Sequence, residues 1–480
     1  MSAAGLIHPH SSVIPFWRGG HEVRSESTFP VISPITDNIL YRCSSASERD
    51  VSLAVEDAQR AFQSWSRAKP HEKRDIFLRA AEIFAQRRND LFNCVNNETG
   101  EGERFFQVEW ELIQQMCKDV AGLIQTIQGK HPTVAAPGQS ALVLQEPYGV
   151  VVGISPWNAP YILGLRACLL PLAAGNTVVL KGPETAPKTT WAIADILHQA
   201  GLPAGCLNTV YHRKSDAAQI TTALISHPLV QKINFTGSTA VGSIIASTAG
   251  RFLKPVLLEL GGKATAIVCE DADLQTAALD CVLGAFLNSG QICMSTERIV
   301  VNKAVAAEFT QEFKSALTKL FPEQTLQLVN CESVQRNEKL VRDAMSKGAR
   351  ILSKVTTRFH RATEMNIVCL ENVDESMEIY HNESFGPSAS IITVSSDEEA
   401  IRSANDTQYG LTAAVFTDNL RRGFRIAKEI HTGAVHINSM TVHDETALPH
   451  GGVRNSGFGR FNSSEGLQEW VRTKSLTWKD

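Results

Sequence analysis

The sequence predicts an α/β protein of two lobes with a cleft between them. Three observations lead there. Short β-branched runs alternate with amphipathic helical stretches at the spacing of parallel βαβ units. The alternation comes in two successive series, joined near residue 260. A chain of 480 residues with 43% hydrophobic and 20% charged content is long enough to bury two cores.

Residues 47–130 read as helical, through amphipathic stretches such as DVSLAVEDAQRAFQSW and RDIFLRAAEIFAQRRNDLF. SALVLQEPYGVVVGISPWN follows as two β-rich runs parted by Glu146-Pro147. NTVVLK, the helical TTWAIADILHQAG, CLNTVY, another helix, and KINFTG opening into STAVGSIIAST complete the first series. Continuous apolar runs of this kind belong to strands covered on both faces. PVLLELGGK and ATAIVCE begin the second series. It continues through RIVVNK, the helix VAAEFTQEFKSALTKL, ARILSK, ASIITV and AAVFTD. The terminal TKSLTWK alternates as an edge strand does, and is expected to pair with the 130–145 segment or with another subunit.

Composition removes several function classes. Net charge is −4 with both signs interspersed, so neither nucleic acid nor an anionic membrane is an expected partner. The longest apolar stretch, YILGLRACLLPLAAGNTVVL, carries Arg166 and Pro171 and reads as a buried helix followed by a strand, with no membrane span. MSAAGLIHPHSS lacks the basic and apolar regions of a secretory signal. The ten cysteines are scattered without a CxxC pair or zinc-site spacing, so no metal is expected and reduced thiols in the cytoplasm are.

Four segments fall at the ends of predicted strands, where α/β proteins place ligands. In ISPWNAP, Asn158 offers two uncharged N–H donors suited to a developing oxyanion; the alternative is a cap on the following helix. In VVLKGPETAP, Lys181 and Glu184 flank a Gly-Pro turn and suit the two hydroxyls of a ribose; the alternative is an exposed ion pair. NFTGSTAVG supplies Gly237, Ser238 and Gly242 at a helix start, an anion-binding geometry that lacks the full G-x-G-x-x-G and is also met in plain βα turns. In LLELGGK, Glu259 ends an apolar strand, where burial raises a carboxylate toward general-base range; the alternative is a Glu reaching solvent or a Lys.

With GQIC added, the order and wording of PWN, LELGGK, GQxC and E-x-FGP resemble the NAD(P)-dependent aldehyde dehydrogenase superfamily, over nearly the whole chain. The resemblance implies an aldehyde dehydrogenase-like fold of two Rossmann-like lobes and a small β oligomerisation flap. Residues 1–124 and 148–259 would form the NAD-binding domain, 260–453 the catalytic domain, and 125–147 with 454–480 the oligomerisation segments of a homodimer or homotetramer. It makes Cys293 the nucleophile, Glu259 the general base and Asn158 the oxyanion donor. The chemistry implied is a thiohemiacetal, its oxidation by NAD to a thioester, and hydrolysis by water activated by Glu259. Trp157, Lys181, Glu184, Gly237, Ser238, Gly242, Leu260, Gly261, Glu383 and Phe385 would contact NAD. Glu184 favours NAD over NADP, since a carboxylate repels a 2′-phosphate.

The substrate is a small aldehyde. WNAPYILGLRA and HINSMTVHDE resemble the branch acting on benzaldehyde-, salicylaldehyde- and vanillin-type aldehydes. Ala159 leaves space beside Asn158, and Ile292 and Met294 flank the nucleophile as channel walls. PHGGV replaces the usual P-F-G-G, so His450 stands where an aromatic wall is expected. Either His450 or Arg166, a helical repeat beyond Ala159, is expected to bind a polar ring substituent; the alternative for Arg166 is a structural ion pair. Rival readings are an aliphatic or semialdehyde dehydrogenase, an acylating relative using coenzyme A, and a catalytically silent member. The last two are disfavoured by the presence of both Glu259 and Cys293.

Overall fold

The computed structural model describes residues 13–353 and 361–479. The stretch MSAAGLIHPHSS and the last residue of ARILSK lie outside the described residues. The predicted helical region resolves into α1 (Glu48–Trp65), α2 (Pro70–Gln86), α3 (Arg88–Thr99) and α4 (Glu103–Leu123). Ser47 and Asp50 close α1 in a reciprocal capping box, which is why the helix starts there. A small sheet of Val13–Ile14, Thr28–Ile32 and Ile39–Ser44 precedes them and had no counterpart in the sequence reading.

The first series builds a sheet from β1 (Val150–Ile154), β2 (Thr177–Lys181), β3 (Leu207–Val210), β4 (Val230–Thr236) and β5 (Val256–Glu259). Its order is β5-β4-β1-β2-β3, all parallel, with Gly457–Phe458 added antiparallel on the β5 edge. The crossovers are α5 (Pro160–Ala173), α6 (Pro187–Gln199), α7 (Ala217–Ser226) and α8 (Thr239–Arg251). Every residue of β1 and of α5 is buried, as continuous apolar runs require.

The second series forms β6 (Ala264–Val268), β7 (Thr296–Asn302), β8 (Arg350–Ile351), β9 (Val368–Glu371), β10 (Ser388–Val394), β11 (Thr412–Phe416) and β12 (Ala434–Ile437), ordered β8-β9-β10-β7-β6-β11-β12. Only β8 runs antiparallel, against β9. The chain passes from the carboxyl end of β5 into the amino end of β6 through Leu260–Lys263 alone. The lobes therefore meet carboxyl edge to amino edge. The four strand-end segments singled out in the sequence all belong to the first lobe; in the second lobe Cys293 and Glu383 precede β7 and β10.

The terminal strand Val471–Lys479 pairs antiparallel with Gln139–Pro147 along its whole length. The segment 454–480 is divided in use: Gly457–Phe458 joins the first sheet, Trp470 is fully buried, and only the last strand forms the ribbon.

Candidate active site

β1 and β4 are neighbours whose crossovers depart in opposite directions, one toward β2 and β3, the other toward β5. Their carboxyl ends open a crevice at this switch point. Pro156, Trp157 and Asn158 follow β1, and Gly237 and Ser238 follow β4. With Glu259, Leu260, Gly261, Cys293, Glu383 and Phe385 they line a cavity of about 300 Å³. Ser238 caps α8, its hydroxyl accepting from the Val241 N–H, so the positive end of that helix opens on the crevice.

Of the ten cysteines, eight are buried and Cys331 is exposed; Cys293, half-exposed, is the one that lines the cavity. The loop that presents it is tightly wound. Asn288, Ser289 and Gly290 take φ of 47°, 60° and 72°, three left-handed residues in succession. A Cβ on Gly290 would lie 2.2 Å from the Gly386 carbonyl oxygen, and one on Gly262 would lie 2.3 Å from that of Cys293. The segment after Glu259 thus runs against the backbone of Cys293, an approach only glycine permits.

Asn158 does not cap α5. The N-cap is Ala159, without a side-chain bond, and Asn158 Nδ2 instead donates to the Gln291 carbonyl at 2.9 Å. Asn288 Nδ2 returns a bond to the Asn158 carbonyl at 2.7 Å, so the loop and the end of β1 are tied together. One N–H of the Asn158 amide is used in this tie, which leaves the other for a ligand oxygen beside Cys293.

Glu259 is the last residue of β5 and is fully buried, with no hydrogen-bond partner within reach of either carboxylate oxygen. It reaches neither solvent nor a Lys. His450 Nε2 stands 3.9 Å from Glu259 Oε1. Burial works against the Glu259 charge, but nearby His450, the Arg166 charge and the Cys293 thiol outweigh it and hold the carboxyl below its ordinary value. The Cys293 thiol is pushed well up, first by burial and then by the adjacent Glu259 charge. The resting pair is therefore a carboxylate and a thiol with the proton on sulfur.

On the far wall, Glu383 Oε1 accepts from the Gly262 N–H at 2.9 Å, and burial together with the Glu297 charge raises its carboxyl to about 8. Phe385 meets Trp157 edge to face at 5.8 Å. Their loop is anchored by an ion pair that sequence reasoning missed. Lys263 Nζ binds Glu297 at 2.5 Å and the Asn382 carbonyl at 2.8 Å, while Glu297 accepts from the Ser384 and Phe385 N–H groups at 2.8 and 3.2 Å. Asn330, Ser333 and Arg336 also line the cavity and were not anticipated, because in the sequence they belong to an ordinary amphipathic helix start.

Other expected residues fall elsewhere. Lys181 ends β2 and is buried; burial lowers its ammonium and the Glu184 charge opposes that. Neither Lys181 nor Glu184 lines the cavity. Gly242 is not among the residues lining the cavity, and a Cβ there would lie 2.4 Å from Leu260 Cδ2, so α8 packs closely on Leu260 at this point. Ala159, Ile292 and Met294 are buried and give none of the cavity's lining. Arg166 is corrected. Its guanidinium is buried against the Asp444 carboxylate and over the Phe461 ring, so the ion pair forms and the charge is not free for a substituent.

The site suits a dinucleotide: a helix start for phosphate, a buried carboxyl at Glu383 for ribose hydroxyls, and two aromatic rings beside the nucleophile. The aldehyde dehydrogenase family model matches residues 22–476. A vanillin dehydrogenase from Pseudomonas sp. (strain HR199) is 40% identical, with 97% of each chain covered. The crystal structure of a salicylaldehyde dehydrogenase from Pseudomonas putida complexed with salicylaldehyde superposes with a TM-score of 0.93 at 34% identity, covering 98% of each chain. A betaine aldehyde dehydrogenase from Staphylococcus aureus in complex with NAD+ superposes at 0.92 with 26% identity over 97% of each chain. On the family match over residues 22–476 and the 40% identity to a relative covered to 97%, the chain belongs to the aldehyde dehydrogenase family.

Proposed function

We infer that the protein oxidises an aromatic aldehyde of the hydroxybenzaldehyde type to its carboxylic acid. The observation that carries this reading is the convergence of Cys293, Glu259 and Asn158, from three separate segments, on one cavity. The thiol proton passes from Cys293 Sγ to Glu259 as sulfur bonds to the aldehyde carbon. The oxyanion formed accepts from the free Asn158 N–H and from the Cys293 backbone N–H. NAD, when bound, supplies the two-electron acceptor for the tetrahedral adduct. Once Glu259 has released that proton to solvent it takes another from water, whose oxygen bonds to the thioester carbon; the C–S bond breaks, the acid leaves, and the proton returns to Cys293 Sγ. Trp157, Gly237, Ser238, Leu260, Gly261, Glu383 and Phe385 hold the dinucleotide, with Lys181 and Glu184 at its adenine ribose. The Glu184 carboxylate favours NAD over NADP.

The aromatic preference is supported by the relatives named for vanillin and salicylaldehyde, and by polar His450 and Asp444 close to Glu259. His450 faces Glu259 and Asp444, and Ala159, Ile292 and Met294 pack behind the residues that line the cavity. Residues 1–124 and 148–259 serve as the NAD-binding domain and 260–453 as the catalytic domain. Segments 125–147 and 454–480 serve assembly into a homodimer or homotetramer, with Leu476 and Trp478 exposed on the ribbon as its apolar contacts. No helix among the described residues is long and apolar enough to cross a membrane, and the cytoplasm is the proposed site of action.

A panel of hydroxylated benzaldehydes and aliphatic aldehydes with NAD, followed by NADH absorbance, tests the reading on wild type and Cys293→Ala. Hydroxybenzaldehydes should give the highest kcat/KM, and the variant should be inactive. Turnover by Cys293→Ala would refute the covalent route, and a uniform preference for aliphatic aldehydes would refute the substrate class.

A further inference from the structure

Glu259 has to be an anion to take a proton from Cys293 and again from water, yet it is fully buried and its oxygens have no hydrogen-bond donor. What faces it is His450. The imidazole stands between two carboxylates, Nε2 at 3.9 Å from Glu259 Oε1 and Nδ1 at 4.0 Å from Asp444 Oδ1, with 9% of its side chain exposed. Its backbone is held on both sides by Phe461, whose carbonyl accepts at 2.9 Å and whose N–H donates at 2.7 Å. Asp444 is fixed from behind by Arg166 and by Asn462 Nδ2 at 2.8 Å.

Glu259 and Asp444 contribute two negative charges and Arg166 one positive charge. The enclosure thus lacks one positive charge, and the unpartnered His450 Nε2 is the polar atom that faces the gap. The other titratable groups nearby do not supply that charge. His436, on β12, is pushed down to about 4, chiefly by burial, and is neutral. Its ring neighbour His443, 4.7 Å away, is paired at 3.0 Å with Glu445. Cys293 beyond Glu259 is a thiol at rest.

We propose that His450, clamped by Asp444, is a positioning residue for Glu259: as an imidazolium it keeps the base ionised and oriented toward Cys293. The proposal rests on the reading of Glu259 as the general base. It also explains why this chain tolerates a histidine where the family resemblance leads one to expect phenylalanine. An aromatic hydrocarbon would fill the space but would leave the carboxylate alone.

The test is the pH dependence of kcat/KM and of single-turnover NADH bursts, for wild type, His450→Phe, His450→Gln and Glu259→Gln. Losing an opposite charge at this distance moves a carboxyl upward by about 1–3 pH units. The acid limb of His450→Phe should therefore shift upward by about that much, with His450→Gln in the same direction and NAD affinity unchanged. Iodoacetamide alkylation of Cys293 against pH reads the same coupling without turnover, and does so even for a variant with little activity. Glu259→Gln should slow the burst and stall after it. If it turns over at the wild-type rate, the reading of the base fails. If it stalls while both His450 variants keep the wild-type acid limb and alkylation profile, the His450 proposal alone is overturned. A change confined to KM for hydroxylated substrates also overturns it, in favour of direct substrate contact.

Discussion

Replacing Glu297 by Gln removes one charge from a buried ion pair and leaves its volume nearly unchanged. In the native protein Lys263 and Glu297 have side-chain exposures of 1% and 4%, and their 2.5 Å contact is shared with the backbone of the Glu383–Phe385 loop. Burial drags the Lys263 ammonium down, and the Glu297 charge is the main force opposing that. Breaking a buried pair from one side costs about 3–5 kcal/mol. A Gln retains one acceptor oxygen, so the lower end, ~3 kcal/mol, is expected. For a domain of this size that is a fall in Tm of about 6–12 °C. Weakened anchoring of Ser384 and Phe385, at about 1 kcal/mol per backbone bond, should raise KM for NAD about fivefold. Calorimetry and initial rates at varied NAD measure the two effects. The Tm deficit should shrink as pH rises, because an unpaired buried lysine is tolerated once it is neutral. Adding Lys263→Met should restore much of the Tm and none of the KM. If Glu297→Gln leaves both Tm and KM unchanged, the pair does not anchor the loop.

Asn158→Ala should lower kcat by about 10²–10³-fold, the cost of one oxyanion donor, with a smaller effect on NAD binding; an unchanged kcat would remove Asn158 from the chemistry. Gly262→Ala places a methyl 2.3 Å from the Cys293 carbonyl oxygen and should move the nucleophile, lowering kcat by about 10²-fold while circular dichroism stays native. Glu101 and Glu109 form a buried carboxyl pair. Burial and the Glu109 charge push Glu101 well up, and burial raises Glu109 to about 7, while Glu109 Oε1 accepts from the Tyr161 and Ile162 N–H groups at the start of α5. The folded state thus holds protons that the unfolded chain releases near 4.5, so stability falls as pH rises from there through 7 and beyond. Glu101→Gln should flatten that fall, read as Tm against pH; an identical slope would refute the raised Glu101 carboxyl as its source. Glu184→Ala should narrow the preference for NAD over NADP, measured as the ratio of kcat/KM values, and an unchanged ratio would remove Glu184 from cofactor choice.

The βα alternation and both lobes were legible in the sequence because parallel strands covered on two faces leave continuous apolar runs, as in Val150–Ile154. The small N-terminal sheet was not, since its strands mix exposed and buried positions without a clean period. The motifs named Cys293, Glu259, Asn158, Glu383 and Phe385 correctly as cavity residues. They could not show that Asn158 spends one N–H on the Gln291 carbonyl, since that bond joins residues 133 positions apart.

Sequence by itself singled out the candidates, a cysteine in GQIC, a carboxylate at a strand end and an amide after PW, through the order in which the motifs occur together. Tertiary structure alone decided their charge states and company. Arg166 was turned from a substrate ligand into the partner of Asp444, Gly242 was packed against Leu260, and His450 was set between two carboxylates. The reason is physical. Helix and strand periodicity act over a few residues and are written locally, whereas ionisation in a buried site depends on every charge within a few ångströms, whichever part of the chain supplies it.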